Sequence, residues 1–132
     1  MADAMKLKVI TPDKQFYEGD VTMVELTTTE GNIGVYPEHI PLTAVAAPGV
    51  LKIHEGAEVK EAALMSGFVT ILPDSVTILA ETVEWPDEID FERAQEAKLR
   101  AEKRLAAREA ELDVLRAEMA LKRALIRLEM KH

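Results

Sequence analysis

The sequence predicts an α+β chain: an N-terminal antiparallel β-sandwich over residues 1–85, then a C-terminal antiparallel two-helix hairpin over residues 86–132. Three observations carry this division. All six glycines and five of the six prolines precede residue 74, punctuating short runs, whereas no Gly or Pro follows Pro86. Ala, Glu, Arg, Leu and Lys dominate the remainder, a helix-forming composition. The charge also changes sign, with 5 basic and 17 acidic side chains in residues 1–92 but 11 and 7 in residues 93–132.

The elements follow in order. "LKVI" from Leu7 stops at "TPD", and "VTMVELTT" from Val21 alternates until "EGN". "GVLKIHEG", "EVKEAALMSG" and "FVTILPDSVTILA" continue the pattern, the last as a hairpin turning on Pro73, Asp74 and Ser75. Short strands at this spacing predict a sandwich or flattened barrel. One continuous helix over the last stretch would run nearly 70 Å, far beyond what such a sandwich covers, so a break is expected. Ile89-Asp90-Phe91-Glu92-Arg93-Ala94 recurs as Leu112-Asp113-Val114-Leu115-Arg116-Ala117. Read as two helix starts, with Asp90 and Asp113 as caps behind an apolar staple, the repeat predicts helices over about 90–107 and 113–130.

Caps alone do not explain the arginines. Arg93, Arg100, Arg104 and Arg108 fall on one face of the first helix, and Arg116, Arg123 and Arg127 on one face of the second. Like charges four residues apart repel mildly. Either neighbouring acids such as Glu96 and Glu118 neutralise them, or an anion lies between the stripes, gripped by guanidinium forks. Asp90 is then either a cap or part of a binding site. The predicted seam is thin: Ala94, Ala101 and Leu105 on one side, Val114, Leu121, Ala124 and Leu128 on the other. A second stripe holds Leu115, Met119, Ile126 and Met130. Small residues bury little area, so the hairpin is expected to be marginally stable and able to open.

Several chemistries are excluded. No cysteine means no disulfide, thiolate metal site or Cys nucleophile. There is no phosphate-cradling glycine loop, and Ser66 and Ser75 lack a nucleophile-elbow context. His39, His54 and His132 are scattered without ligand spacing, so no metal site is expected. A net charge of −8 argues against nucleic acid as partner. The opening "MADAMKLKVITP" has no apolar signal core and no run approaches the roughly 20 apolar residues of a span, so membrane attachment is expected only through a complex.

"EGNIGVYPEHIPLTAVAAPG", from Glu30 to Gly49, resembles the central signature of the epsilon subunit of F-type ATP synthases. "SGFVTILPDSVTILAETVE", "IDFERA" and "ALKRALIRL" match the same family in order. The resemblance implies a non-catalytic rotor subunit, peripheral on the cytoplasmic side of the cell membrane. Its partners would be the gamma subunit, the c-ring and the catalytic beta and alpha subunits. The sandwich would dock through the Glu30–Pro41 loop, with Glu30, Asn32, His39 and Pro41 as contacts. The hairpin would extend to inhibit ATP hydrolysis. In bacillus-like members the Ile-Asp-x-x-Arg-Ala motif goes with ATP binding, which carries a site onto Glu84, Ile89, Asp90, Arg93, Arg100, Arg123 and Arg127. The implied ligand is regulatory ATP, with or without magnesium, and no catalytic cofactor.

Two other classes compete. A free-standing β-sandwich binding module could use the hairpin to oligomerise, and would work alone rather than co-purify with a membrane ATPase. An enzyme is the weaker rival, because no nucleophile or metal constellation exists.

Overall fold

The computed structural model describes residues 4–107 and 110–131, so Arg108 and His132 lie outside the described residues. The chain divides into two compact units, one through Glu84 and one from Trp85.

The first unit has ten strands: β1 (Met5–Ile10), β2 (Gln15–Val21), β3 (Met23–Thr28), β4 (Gly31–Val35), β5 (Leu42–Ala46), β6 (Gly49–Glu55), β7 (Glu58–Leu64), β8 (Gly67–Leu72), β9 (Ser75–Ala80) and β10 (Val83–Glu84). Hydrogen bonding follows the path β10-β7-β6-β3-β5-β8-β9-β1-β2, with β4 added on β3. A single residue pair, Thr28 with Ala46, joins β3 to β5. The path therefore folds there into two five-stranded layers, the predicted sandwich. All pairings are antiparallel except β1 with β9.

Period-two alternation fills the space between layers. Leu7, Val76 and Ile71 form one cross-strand row, and Val9, Ile78 and Val69 the next. All six are fully buried, and Val24, Leu26, Leu51 and Ile53 face them from the other layer. Burying such side chains contributes about 1.5–3 kcal/mol each. Thr28, the buried polar residue of the core, is satisfied: its hydroxyl donates to the Gly31 carbonyl and accepts from the Glu30 amide.

"VTMVELTT" is not one strand. Thr22 interrupts it, its amide and hydroxyl both donating to the His54 carbonyl at 2.7 and 3.1 Å, and the chain crosses between layers there. Nor is Glu30–Pro41 one loop, since Gly31–Val35 pairs along its length with β3. Glycines and prolines conceal β4 and β5 from a pattern reading. The β8–β9 turn is only Pro73 and Asp74, because Ser75 already pairs with Leu72.

Tyr17 fastens the far end of the path. Its hydroxyl donates to the Glu55 carboxylate of β6, whose other oxygen meets Lys60 Nζ at 3.0 Å. The Tyr17 phenol lies against Gly19, where an added Cβ would stand 2.7 Å from the hydroxyl oxygen. Glycine there gives the phenol room to reach across.

The second unit opens with a short 3-10 turn at Pro86–Glu88, then α1 (Phe91–Ala107) and α2 (Glu111–Glu129), packed on one another as the predicted hairpin. Its seam is made of alanines: Ala94 and Ala101 on α1, Ala117 and Ala124 on α2, each at most 4% exposed. Seven-residue spacing on both helices sets Ala101 level with Ala117, and Ala94 level with Ala124, in an antiparallel pair. Met130 is also buried. Leu115 and Met119, expected to pack, remain 54% and 42% exposed.

Candidate functional site

The helical unit begins with geometry dictated by three residues. Pro86 occupies the first position of the 3-10 turn, where its missing amide costs nothing, and the Glu88 carboxylate accepts the Trp85 amide at 2.9 Å. Ile89 and Ala94 are both buried, in the positions a hydrophobic staple uses. Asp90 lies between them as the N-cap, its Oδ1 accepting the Arg93 amide at 3.0 Å while its carbonyl receives the Ala94 amide.

The second copy of the repeat behaves differently. α2 starts at Glu111 after Ala110, which caps with no side-chain bond, so Asp113 is the third residue inside the helix. Asp113 does not cap. Its carboxylate still favours the positive end of the helix dipole, but the shared meaning of the repeat lies in its last two residues. Ala94 and Ala117 both enter the seam, and Arg93 and Arg116 both stay outside as exposed neighbours. Ala117 is an addition to the expected seam, signalled by its spacing of seven from Ala124.

The arginines divide between two concavities. One, of about 310 Å³, is lined by Asp90, Glu92, Arg93, Glu96 and Arg100 at the start of α1. The other, of about 530 Å³, is lined by Lys103, Arg104, Ala107, Asp113 and Arg116 at the turn end. Three of the expected ATP residues, Asp90, Arg93 and Arg100, thus share one surface. Arg123 and Arg127 line neither concavity, but the alanine register sets them level with Gln95 and Phe91, beside the first. Ile89 is 7% exposed, and Glu84 ends the strand unit as half of β10, paired with Ala63.

Charge counting sharpens the first concavity. Two arginines face three carboxylates, so by itself it is net negative and wrong for a polyphosphate. Arg123 and Arg127 reverse the sign if they join. Arg93, Arg100, Arg104, Arg116 and Arg123 take part in no salt bridge among the described residues. Among the described residues no group of three or more His, Asp or Glu side chains is placed to hold a metal.

The four expected docking residues do not share one place. Glu30 lies in the β3–β4 turn and Asn32 near the start of β4, where the Thr27 hydroxyl bonds Asn32 Oδ1 and the Thr29 amide donates to the Val45 carbonyl near the end of β5. His39 and Pro41 precede the start of β5, and the Glu38 amide ties that loop to the Pro73 carbonyl. The length of β4, about 16 Å, separates the two groups. Glu38 takes φ of +67°, strained for a non-glycine residue, and so presents a fixed rather than slack loop. His39 Nδ1 lies 2.6 Å from the Ile40 carbonyl, and Ile40 is 79% exposed.

Residues 4–86 match the family described as ATP synthase, Delta/Epsilon chain, beta-sandwich domain, and residues 87–131 match the corresponding long alpha-helix domain. The ATP synthase epsilon chain of Halalkalibacterium halodurans is 48% identical over 127 residues, 96% of each chain. That of Caldanaerobacter subterraneus subsp. tengcongensis is 47% identical over 131 residues, 98% of this chain and 95% of that one. A chain in the Euglena gracilis mitochondrial ATP synthase, a structure of OSCP, F1 and c-ring, superposes with a TM-score of 0.85 at 23% identity. The match covers 98% of this chain and 81% of the other, and shows likeness of fold. No helix among the described residues is long and apolar enough to cross a membrane.

Proposed function

The chain belongs to the delta/epsilon-chain family of ATP synthases, among its epsilon members, and from that premise we propose that it is a central-stalk rotor subunit whose hairpin is an ATP-controlled latch. It makes no bond itself. It couples ion-driven rotation, on the cytoplasmic side of the membrane, to ATP synthesis by the alpha and beta subunits. The sandwich holds the gamma subunit and the c-ring. Because the docking residues sit at two ends of β4, the Glu30/Asn32 end and the His39/Pro41 end meet different partners.

The observation that carries the latch is the set of arginines around the α1 start. Arg93 and Arg100 share a concavity with Asp90, and the alanine register sets Arg123 and Arg127 level with Gln95 and Phe91 on the facing helix. Closing the hairpin crowds them, and a triphosphate between them turns repulsion into charge-assisted hydrogen bonds of about 1.5–3 kcal/mol each. Asp90, its Oδ1 committed to the cap, offers its other oxygen to the ribose or the adenine amino group, and Ile89 completes the nucleotide end. With no glycine loop for the phosphates, binding is modest and non-hydrolytic.

The open state follows from the turn. Residues 108–110 are Arg, Glu and Ala, all good helix formers, so local preference favours a continuous helix over two separate ones. Extended from α1 through α2 that helix measures about 58 Å and inhibits ATP hydrolysis from within the catalytic head. ATP bound only to the hairpin shifts the balance to the non-inhibitory form by mass action.

The test uses Trp85, the single tryptophan. ATP should change its fluorescence and give a calorimetric isotherm, in runs with and without magnesium. Asp90→Ala with Arg93→Ala should abolish both, and Arg123→Ala should weaken ATP more than adenosine. Neither fluorescence change nor heat at millimolar ATP would leave Asp90 as a cap only.

A further inference from the structure

The concavity at the turn end of the hairpin lies outside the nucleotide reading. Lys103 and Arg104 reach it from the last turns of α1, Arg116 from the second turn of α2, with Asp113 beside them. All four side chains are exposed. Among the described lining residues, three cations against one carboxylate leave two positive charges in excess. Arg104 suits the negative end of the α1 dipole, but Arg116 is near the positive end of α2, so helix electrostatics do not explain the cluster. None of these three cations takes part in a salt bridge among the described residues. Ala110 caps α2 with no side-chain hydrogen bond, leaving the first amides of the helix as further donors toward the same end.

We propose that the hairpin tip is a second anion site, for a compact oxyanion of the inorganic phosphate or pyrophosphate class, bound between Lys103 and Arg104 on α1 and Arg116 on α2. Inorganic phosphate at neutral pH is a mixture of monoanion and dianion, and pyrophosphate carries more charge, so either can offset the excess. A volume of about 530 Å³ admits either anion with water. The site exists only in the bent form. In a continuous helix Arg104 and Arg116, twelve residues apart, would stand about 18 Å from one another and could not share one anion. Phosphate therefore favours the hairpin by mass action, with or without nucleotide.

The experiment titrates inorganic phosphate and then pyrophosphate into the full isotopically labelled chain, without nucleotide, against sodium chloride at matched ionic strength. Saturable shifts should appear in the Lys103, Arg104 and Arg116 signals, tighter for pyrophosphate. Arg116→Gln or Arg104→Gln should weaken binding about three- to fivefold, the scale of an exposed ion pair. Asp113→Asn should tighten it. Arg93→Gln should leave it unchanged while removing the ATP response, so failure of the latch and failure of this site read out separately. If chloride reproduces the shifts, the cluster is only a screened basic surface and the proposal falls. Wild-type affinity in Arg116→Gln would overturn it equally.

Discussion

Asp90 and Asp113 occupy matching places in one six-residue repeat, yet only Asp90 accepts a backbone amide. Asp90→Ala should therefore cost the helical unit about 1 kcal/mol, while Asp113→Ala should stay within about 0.5 kcal/mol. Amide exchange in α1 and α2 measures both, and equal losses would contradict the cap assignment. Glycines supply a second residue-scale expectation. A Cβ at Gly67 would stand 2.1 Å from the Leu79 carbonyl oxygen, which is backbone and cannot swing aside. Gly67→Ala should destabilise the sandwich by about 1–3 kcal/mol in denaturant unfolding. At Gly19 the obstacle is the tip of a tyrosine, so Gly19→Ala should cost less. The Asp90 cap is legible in the sequence because capping is local. The expected Asp113 cap fails because the turn places the α2 start two residues earlier, using an alanine that carries no capping signal.

Among elements, the Tyr17–Glu55–Lys60 tie between β2 and the β6–β7 hairpin has a defined pH window. The Tyr17 hydrogen bond, then Lys60, hold the Glu55 carboxyl below its ordinary range. Its contribution is complete above the unfolded value of about 4.3 and is lost as pH falls through the lower folded value. Burial first, and the Glu55 bond second, push the Tyr17 phenol up. That contribution is complete below about 10 and is lost as pH rises through the folded value. Comparing unfolding midpoints of wild type and Tyr17→Phe from about pH 3 to 12 should show a difference that shrinks at both extremes. A constant difference would remove the tie from the account. The alanine seam carries its own expectation: Ala101→Leu overpacks the level shared with Ala117. It should loosen the hairpin by about 1–3 kcal/mol, read as faster exchange in α1 and α2 while β1–β9 hold. Helix composition and the hydrophobic strands β1, β6, β8 and β9 are readable from pattern. β4 and β5 are not, since Gly and Pro conceal strands whose status depends on a neighbour's hydrogen bonds.

For the whole molecule, the division at Glu84 implies separable stability. The layers of the strand unit are filled by its own residues, so a chain ending at Glu84 should keep a cooperative unfolding transition and still join the stalk. A shortened chain that folds but fails to assemble would place docking contacts on the helices. Replacing Lys122, an exposed basic residue of α2 outside both anion sites, with Ala should raise ATP hydrolysis by the complex with subunit composition unchanged; unaltered hydrolysis would count against an inhibitory hairpin. At this scale the sequence reveals two units of different composition and period, the net charge of −8 lying wholly in the first. It does not reveal that the expected docking residues stand at opposite ends of a strand, nor that arginines of one stripe split between two concavities. Both depend on where the chain turns back.

The parallel pairing of β1 with β9 bears on the order of folding. β1 ends at Ile10 and cannot complete its ladder until Ser75–Ala80 has been synthesised, so the first strand made waits for nearly the last of its unit. Long-range closure of this kind is slow, whereas α1 and α2 meet across a short turn and form from local contacts. On an emerging chain β1, paired with β2 alone, therefore spends its wait with its other edge open and Met5, Leu7 and Val9 uncovered. The interval between translation of Ile10 and of Ala80 is when this protein most needs a chaperone.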